Sequence, residues 1–379
     1  MRIAYGVHGY GRGHATRVMA LLPRLALMAE VRVLAGGEAF HILSGHFPVE
    51  RIPYLAFDYR GTRVSGPATV ASNAALVWDL LTRGAECRRV EGLLARSRPD
   101  VVVSDSEPLT LRAAARMGIP SIGFDHVGVI AHCRPRVPLR DRLPLALDGA
   151  LYRLLVGKVD RAAVSSFYEA PPRRPGTRTV PPVLRDRVLR SRPSESDHLL
   201  VYFNNGVHLY TRRVDEALRS AGRPVLVYGA GREGGDGTVT HKPIDEASFV
   251  EDLASCFAVV ATGGHQLISE ALFLGKPILV VPEACAEQRL NALQVQALGV
   301  GETLRHSALS GRTILRFLER REGYRRALER LERPRDSDAF EALESLVREL
   351  AAGTRDAPDR PAEFANSSPA RDPLSTRPR

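Results

Sequence analysis

The chain has 379 residues, of which 44% are hydrophobic, and carries a formal net charge of +10. No apolar run approaches the roughly 18 residues that a membrane-spanning helix needs. The four cysteines have no paired spacing, which argues against a disulfide framework or a zinc site and favours a reducing compartment. The basic residues are nearly all arginines and are dispersed along the chain rather than grouped in blocks, so we expect no nucleic-acid partner. An anionic substrate or a membrane surface is the better explanation of the positive charge.

The first half of the chain alternates apolar runs of strand length with segments of helical periodicity. Strands are predicted at 2–7, 31–34, 49–53, 101–103 and 119–124, and helices at 15–28, 68–95 and 109–117. This alternation predicts an α/β fold with a parallel, doubly wound sheet. Because the sequence MRIAYGV opens directly as a strand, no signal peptide is expected and a cytoplasmic location is predicted.

Segment 134–156 alternates arginines with apolar residues. One interpretation is an amphipathic surface helix near an acceptor or at the inner face of a membrane, which would give peripheral membrane contact. The other interpretation, which we favour, is an ordinary packed helix with a solvated arginine face.

A proline-rich stretch at 171–182, PPRRPGTRTVPP, indicates a linker. A second α/β unit follows it, with predicted strands at 199–203 and 225–228 and a flexible glycine-rich loop after Gly229. The last residues are rich in Pro, Ser, Asp and Arg and have few apolar side chains, which is typical of disorder. We therefore divide the chain into a domain at 1–185, a domain at 186–335, a C-terminal helix at 336–352 and a disordered tail at 353–379.

The turn after the first strand, HGYGRGH at 8–14, is similar to a glycine-rich phosphate-binding loop. That pattern alone is weakly specific. A dinucleotide site would also want an acidic residue at the end of the second strand, and Gly36-Gly37 lies there instead. We therefore reject a nicotinamide-binding interpretation.

The stretch from Ala261 to Asn291 is the most informative part of the chain. A predicted strand leads into Thr262, a possible helix cap, and then into Gly263-Gly264, where a backbone can pass close to a ligand. A glycine turn at a helix N-terminus presents free N–H groups and the positive end of a dipole, which suits a diphosphate. Glu270 follows within two turns, in reach of a ribose. The alternative is a βαβ unit with a tight turn and no ligand.

Several short motifs follow one another in this stretch: Gly-Gly-His-Gln at 263–266, Ser-Glu at 269–270, Gly-Lys-Pro at 275–277, and Glu-Gln at 287–288 before Asn291. Their order resembles the donor motif of GT-B glycosyltransferases, in the group of the UDP-glycosyltransferases and the family 28-type peptidoglycan N-acetylglucosaminyltransferases. The resemblance implies two Rossmann-like domains that face each other across a cleft, with the C-terminal helix returning to the first. It implies an inverting, metal-independent transfer from a UDP-sugar or dTDP-sugar, with no other cofactor, to a small-molecule or lipid-linked acceptor.

The resemblance also assigns roles to residues. It implies that His14 is the catalytic base, and a carboxylate that orients its imidazole is expected at Asp105, at the carboxyl end of the 101–103 strand. The acceptor would contact Gly11, Arg12, Gly13, Arg17 and His126. The donor would contact Asn205, Gly206, Gly229, Phe249, Thr262, Gly263, Gly264, His265, Gln266, Ser269, Glu270, Glu287, Gln288 and Asn291.

Alternatives remain for these roles. His8 is a rival base, His14 could instead be a capping or packing residue, and Asp105 could be a strand-end cap. A nucleotide-sugar epimerase of the same fold would need no acceptor. A non-catalytic protein that binds a nucleotide sugar would need no base.

Overall fold

The structure, a computed structural model, describes residues 1–204, 206–332 and 338–355. Its first half contains the elements β1 Arg2–Val7, α1 Arg12–Ala26, β2 Glu30–Ala35, α2 Gly37–Ser44, β3 Val49–Arg51, β4 Tyr59–Arg60, β5 Arg63–Val64, α3 Gly66–Thr82, α4 Ala85–Ser97, β6 Val101–Asp105, α5 Pro108–Arg116, β7 Ser121–Asp125, α6 Val129–His132, α7 Leu139–Val156, β8 Arg161–Ser165 and β9 Thr177–Val180.

The second half contains α8 Asp186–Arg190, β10 Leu199–Tyr202, α9 Gly206–Leu209, α10 Arg212–Arg219, β11 Val225–Tyr228, β12 Gly234–Gly235, β13 Val239–Lys242, α11 Glu246–Ser255, β14 Ala258–Ala261, α12 His265–Phe273, β15 Ile278–Val280, α13 Ala286–Ala297, β16 Gly301–Thr303, a 3₁₀ turn His306–Ala308, α14 Gly311–Glu319, α15 Arg321–Leu328 and α16 Asp338–Arg355.

Two seven-stranded sheets organise these elements. The first has the strand order β3-β2-β1-β6-β7-β8-β9 and is parallel throughout. The second has the order β12-β13-β11-β10-β14-β15-β16 and is parallel except for the short strand β12. The central strands β6 and β14 are buried along their whole length, because helices cover both faces of each sheet. The predicted parallel α/β architecture is therefore confirmed in both halves.

Helix α16 belongs to the core of the first sheet although it follows the second sheet in the chain. Its apolar face, which includes Phe340, Leu343 and Val347, is buried together with residues of β1, α1 and β6. The first core is thus closed by the last helix of the described chain.

Some sequence-based expectations were wrong in detail. The proline-rich 171–182 segment contains β9, an edge strand, where flanking prolines are tolerated because one side of the strand needs no ladder partner. The glycine-rich loop that was expected to be flexible contains β12, which pairs with β13. The predicted C-terminal helix runs on to Arg355. Residues 356–379 of the predicted disordered tail lie outside the described residues, as does Asn205.

Helix α7 has solvated arginines such as Arg140, which is 81% exposed, but it is not the ordinary packed helix that we favoured. Its exposed side carries leucines, and Leu139, Leu143 and Leu147 are 77%, 68% and 63% exposed. The helix packs instead through Gly149, because a Cβ there would collide with the carbonyl oxygen of Ile130 in α6. Within the described ranges, no helix combines the length and the apolar character required to cross a membrane.

Candidate active site

The carboxyl ends of β1 and β6 bring the first loop to Asp105. The two strands are parallel neighbours, with Val7 opposite Asp105 in the register. The amide N–H of His8 donates to the carbonyl oxygen of Asp105 at 3.0 Å. The loop then turns at Gly11, whose φ of 81° favours glycine, and α1 begins at Arg12. This early start brings His14 and Arg17 onto one face of α1, one turn apart.

His14, Arg17 and Asp105 form one hydrogen-bonded cluster. His14 Nδ1 lies 2.7 Å from Asp105 Oδ1. Arg17 donates from Nε to Asp105 Oδ2 at 2.8 Å and from Nη2 to Oδ1 at 2.9 Å. Because Asp105 holds Nδ1, the Nε2 atom of His14 is the nitrogen left for another partner. The expected pairing of a histidine with a strand-end carboxylate is thus present in the geometry.

The carboxylate of Asp105 stays ionised despite complete burial. Burial by itself would raise its pKa, but the charges and hydrogen bonds of Arg17 and His14 outweigh burial and lower the pKa to about 2. The next residue, Ser106, has φ 56°, a left-handed conformation that costs a non-glycine residue about 1 kcal/mol or more. Such local strain often marks functional sites.

Two first-loop expectations change with these contacts. Arg17 was expected at an acceptor, but its side chain is only 3% exposed and is engaged by Asp105. His8, the rival base, has its pKa lowered to about 3 by burial and by the neighbouring His14. A group with so low a pKa is a poor proton acceptor near pH 7, which favours His14 over His8.

The N-terminus of α12 faces this cluster from the second sheet. The first intrahelical bond of α12 runs from Ile268 N to the Gly264 oxygen at 3.3 Å, so the preceding amides lie ahead of the helical ladder. Gly264, not Thr262, is the N-cap residue. The Gly263 N–H is not free, because it donates to Gln288 Oε1 at 2.8 Å. A Cβ built on Gly13 would lie 3.6 Å from Gln266 Cβ, which shows how closely the first loop approaches α12.

Glu270 is fully buried in α12 and already has charged and polar partners. Arg185 donates to it from Nε to Oε1 at 2.8 Å and from Nη2 to Oε2 at 2.5 Å. Gln266 Nε2 donates to Oε1 at 2.8 Å. No sequence signal pointed to Arg185, which lies 85 residues before Glu270 and just after the proline-rich segment.

A second hydrogen-bonded group joins the two sheets beside His14. His126 Nε2, at the end of β7, lies 2.7 Å from Asn291 Oδ1, and Asn291 Nδ2 donates to Glu287 Oε1 at 2.5 Å. The His126 ring stacks on the His265 ring, with the centroids 3.8 Å apart. Burial raises the pKa of Glu287 to about 7, against the opposing charge of His14. These residues connect the predicted acceptor and donor sides.

Two tyrosines of the first half donate hydrogen bonds to Glu283, in the loop after β15. Tyr59, in β4, donates its hydroxyl to Glu283 and stacks on His208, with the ring centroids 4.9 Å apart. Tyr10 donates to Glu283 Oε2 at 3.5 Å. Sequence reasoning missed this contact, because nothing in a two-residue strand predicts a partner 224 residues away.

One cavity of about 1260 Å³ lies between the two sheets. The predicted residues in its wall are Gly11, Arg12, Gly13, His14, Arg17, His126, Phe249, Thr262, Gly264, His265, Gln266, Glu270, Glu287 and Gln288. The predicted residues outside the wall are Asp105, Gly206, Gly229, Gly263, Ser269 and Asn291. Of these, Gly206 and Gly229 pack against each other, and Ser269 donates to the His265 carbonyl oxygen at 2.8 Å. These residues outside the wall lie behind it and support the residues that line the cavity.

Comparison with known proteins identifies this arrangement. The profile of "Glycosyl transferase family 1" matches residues 1–321. An uncharacterized glycosyltransferase of Methanosarcina acetivorans is 27% identical, over 88% of this chain and 94% of its own length. The UDP-N-acetylglucosamine–N-acetylmuramyl-(pentapeptide) pyrophosphoryl-undecaprenol N-acetylglucosamine transferase of Sinorhizobium medicae is 25% identical, over 79% of this chain and 82% of its own length.

Solved structures give the same fold. The glycosyltransferase VinC, solved in complex with dTDP, superposes with a TM-score of 0.59 at 17% identity and covers 93% of this chain and 100% of its own. The sheets, the cleft and the returning helix are those of the GT-B architecture. The chain therefore belongs to glycosyl transferase family 1 and is a glycosyltransferase of GT-B fold.

Proposed function

We propose that this glycosyltransferase moves a sugar from a nucleoside-diphosphate sugar, a UDP-sugar or a dTDP-sugar, to an acceptor hydroxyl with inversion and without a metal ion. The observation that carries the proposal is the common cavity of His14 and the α12 N-terminus. A base and a diphosphate site on opposite walls of one cavity suit a single displacement, which inverts the anomeric carbon.

In the proposed step, His14 Nε2 takes the proton of the acceptor hydroxyl as its oxygen forms a bond to the anomeric carbon. The bond between that carbon and the diphosphate oxygen breaks, and its electron pair leaves with the diphosphate. The amides at the start of α12 and the helix dipole stabilise the negative charge of the leaving group. Asp105 holds the imidazole in the required tautomer and stabilises the imidazolium.

The donor side has groups that suit a diphosphate sugar. His265 Nδ1 is buried and has no hydrogen-bond partner within the described residues. Its pKa is lowered well below the ordinary value by burial, so the ring is neutral and can donate or accept a hydrogen bond. Gln288 uses its oxygen for the Gly263 and Glu283 amides, which leaves its NH₂ group for a sugar hydroxyl.

The test begins with a thermal-shift panel of nucleoside diphosphates and their sugars, because a bound ligand raises the unfolding temperature by mass action. The stabilising donor is then incubated with long-chain alkyl glycosides, and the anomeric configuration of the product is read by NMR. We expect His14→Ala to keep donor binding and to lose about 10²- to 10⁴-fold in turnover. We expect Glu270→Ala to lose donor binding. Epimer formation from the donor alone, with no acceptor present, would overturn the transferase assignment of this site.

We also propose a cytoplasmic protein that touches the inner face of a membrane and takes an acceptor with an apolar part. Trp78 and Leu81 of α3 and Leu151 of α7 are exposed and also line the cavity, so the apolar wall continues to the surface. Near this face, Arg153 and Arg173 donate to the backbone carbonyl oxygens of Ala131 and Cys133 and form no ion pair with a carboxylate among the described residues, which leaves positive charge for anionic lipid headgroups.

Vesicle sedimentation tests this contact. The full chain is expected to bind vesicles that contain phosphatidylglycerol and to bind phosphatidylcholine vesicles weakly. Leu143→Ser with Leu147→Ser should lower binding without changing donor binding, since neither leucine lines the cavity. A matched control is Val207→Ser, an exposed apolar residue of the second half. Equal binding by all three proteins would refute the membrane contact.

A further inference from the structure

Arg17 is a nearly fully buried cation at the wall of the cavity. Its side chain is 3% exposed, and its Nε and Nη2 atoms both contact Asp105. The Nη2 atom also lies 3.3 Å from His14 Nδ1. A guanidinium that grips a carboxylate at two points fixes the plane of that carboxylate. Arg17 therefore fixes the orientation in which the Asp105 carboxylate contacts the imidazole of His14.

We propose that Arg17 is a positioning residue that forms a three-residue unit with His14 and Asp105. It holds the Asp105 carboxylate in place, and it offsets the negative charge of that carboxylate beside the His14 imidazole. The inference rests on the proposed role of His14. It goes beyond that role, because it assigns to Arg17 the control of how readily the imidazole takes a proton.

The geometry sets two opposing effects on His14. Asp105 Oδ1 is 2.7 Å from Nδ1, and its negative charge favours the imidazolium. Arg17 Nη2 is 3.3 Å from the same nitrogen, and its positive charge disfavours the imidazolium. Since both partners are buried, solvent screens neither effect well. Asp105 alone would favour the imidazolium form of His14, and the positive charge of Arg17 offsets that preference, because the Arg17–Asp105 pair is neutral as a whole.

Other titratable groups face His14 from the surrounding elements. His8 comes from the first loop, His126 from the end of β7, and His265 and Glu287 from the second sheet. Burial lowers the pKa of all three histidines, to about 3 for His8 and about 4 for His126, so they are neutral near pH 7. Arg17 and Asp105 therefore supply the two full charges beside the ring, and Glu287 a partial one.

The test is a cycle of variants read by NMR of ¹³C-labelled histidine in the full-length protein. The His14 signal is assigned by its loss in His14→Gln, and its titration midpoint is measured in each variant. We expect Arg17→Gln to move the midpoint up by about one pH unit and Asp105→Asn to move it down by a similar amount. The double variant, which lacks both charges, should return close to the wild-type midpoint. Arg17→Lys keeps the charge and should show a smaller shift than Arg17→Gln.

The cycle also covers a failure to fold. If Arg17→Gln does not fold, because its Asp105 carboxylate is left uncompensated, then Asp105→Asn and the double variant still decide the question. A downward shift in Asp105→Asn that the double variant reverses supports the proposal. Unchanged midpoints in the folded variants would refute it. Because the titration needs no acceptor, a lack of transferase activity would count against the proposed function alone.

Discussion

The buried ion pair between Arg185 and Glu270 allows a sharp prediction about stability. The Glu270 side chain is 1% exposed and that of Arg185 is 13% exposed. Removal of one partner leaves the other as a buried charge without its counterion, which costs about 3–5 kcal/mol. We therefore expect Glu270→Gln and Arg185→Met each to lower the free energy of unfolding by about that amount. The double variant should lose much less than the sum, because neither charge is then left unpaired.

Urea unfolding of the four proteins, followed by fluorescence and far-UV circular dichroism, measures this coupling. A matched control is the exposed pair of Arg212 and Glu216, whose loss should change stability by less than about 1 kcal/mol. Isothermal titration with the preferred nucleoside diphosphate adds a functional measurement, in which Glu270→Gln should bind the nucleotide more weakly. Single variants within about 1 kcal/mol of wild type, or losses that simply add, would refute the assigned role of the pair.

Three further predictions concern the cleft. Because the pKa of Asp105 lies near 2 instead of the ordinary 3.8, the stability due to its ionised form is present above pH 3.8 and is lost as the pH falls towards 2, so Asp105→Asn should flatten the acid limb of urea stability profiles. The pKa of Glu287 is raised to about 7, so folding favours its protonated form and the stability due to that form is lost as the pH rises through 7. Glu287→Gln should therefore be more stable than wild type at pH 8, by at most about 3 kcal/mol. A difference in stability that is equal at pH 5 and pH 8 would contradict this. Gly11→Ala should weaken donor binding and not only stability, because φ is 81° there and a Cβ would lie 3.2 Å from the Asn204 amide across the cleft; unchanged calorimetric affinity would contradict this.

The βαβ unit around α12 was predictable because local chemistry determines it. The apolar run at 258–260 lies in β14, the glycines at 263 and 264 come directly before α12, and Pro277 precedes β15. Each of these signals depends on residues close in sequence. His14 and Asp105 are 91 residues apart, and their proximity was predictable for a different reason, since parallel strands bring their carboxyl ends to one edge of a sheet.

The partners of other side chains in the site were not predictable. Gln288 was expected to contact the donor and does line the cavity, but no sequence pattern indicated that its oxygen accepts from two backbone amides. Arg17 was expected to face an acceptor, but its guanidinium turns to Asp105. Both outcomes depend on residues that are distant in the chain and on the need to satisfy buried polar groups, which no local pattern encodes.

The position of α16 has a consequence for how the protein is made. A ribosome releases the first sheet long before it releases residues 338–355, yet Leu343, Leu346 and Val347 fill the core around β1 and α1. Until residues 338–355 are released, that nascent half has an apolar groove open to water and to chaperones. Within the described residues, the buried core of the second sheet runs from Val188 to Leu328, so it needs no later segment to be complete. We therefore expect the second sheet and its helices to complete their folding before the first sheet does, although the first sheet is synthesised earlier.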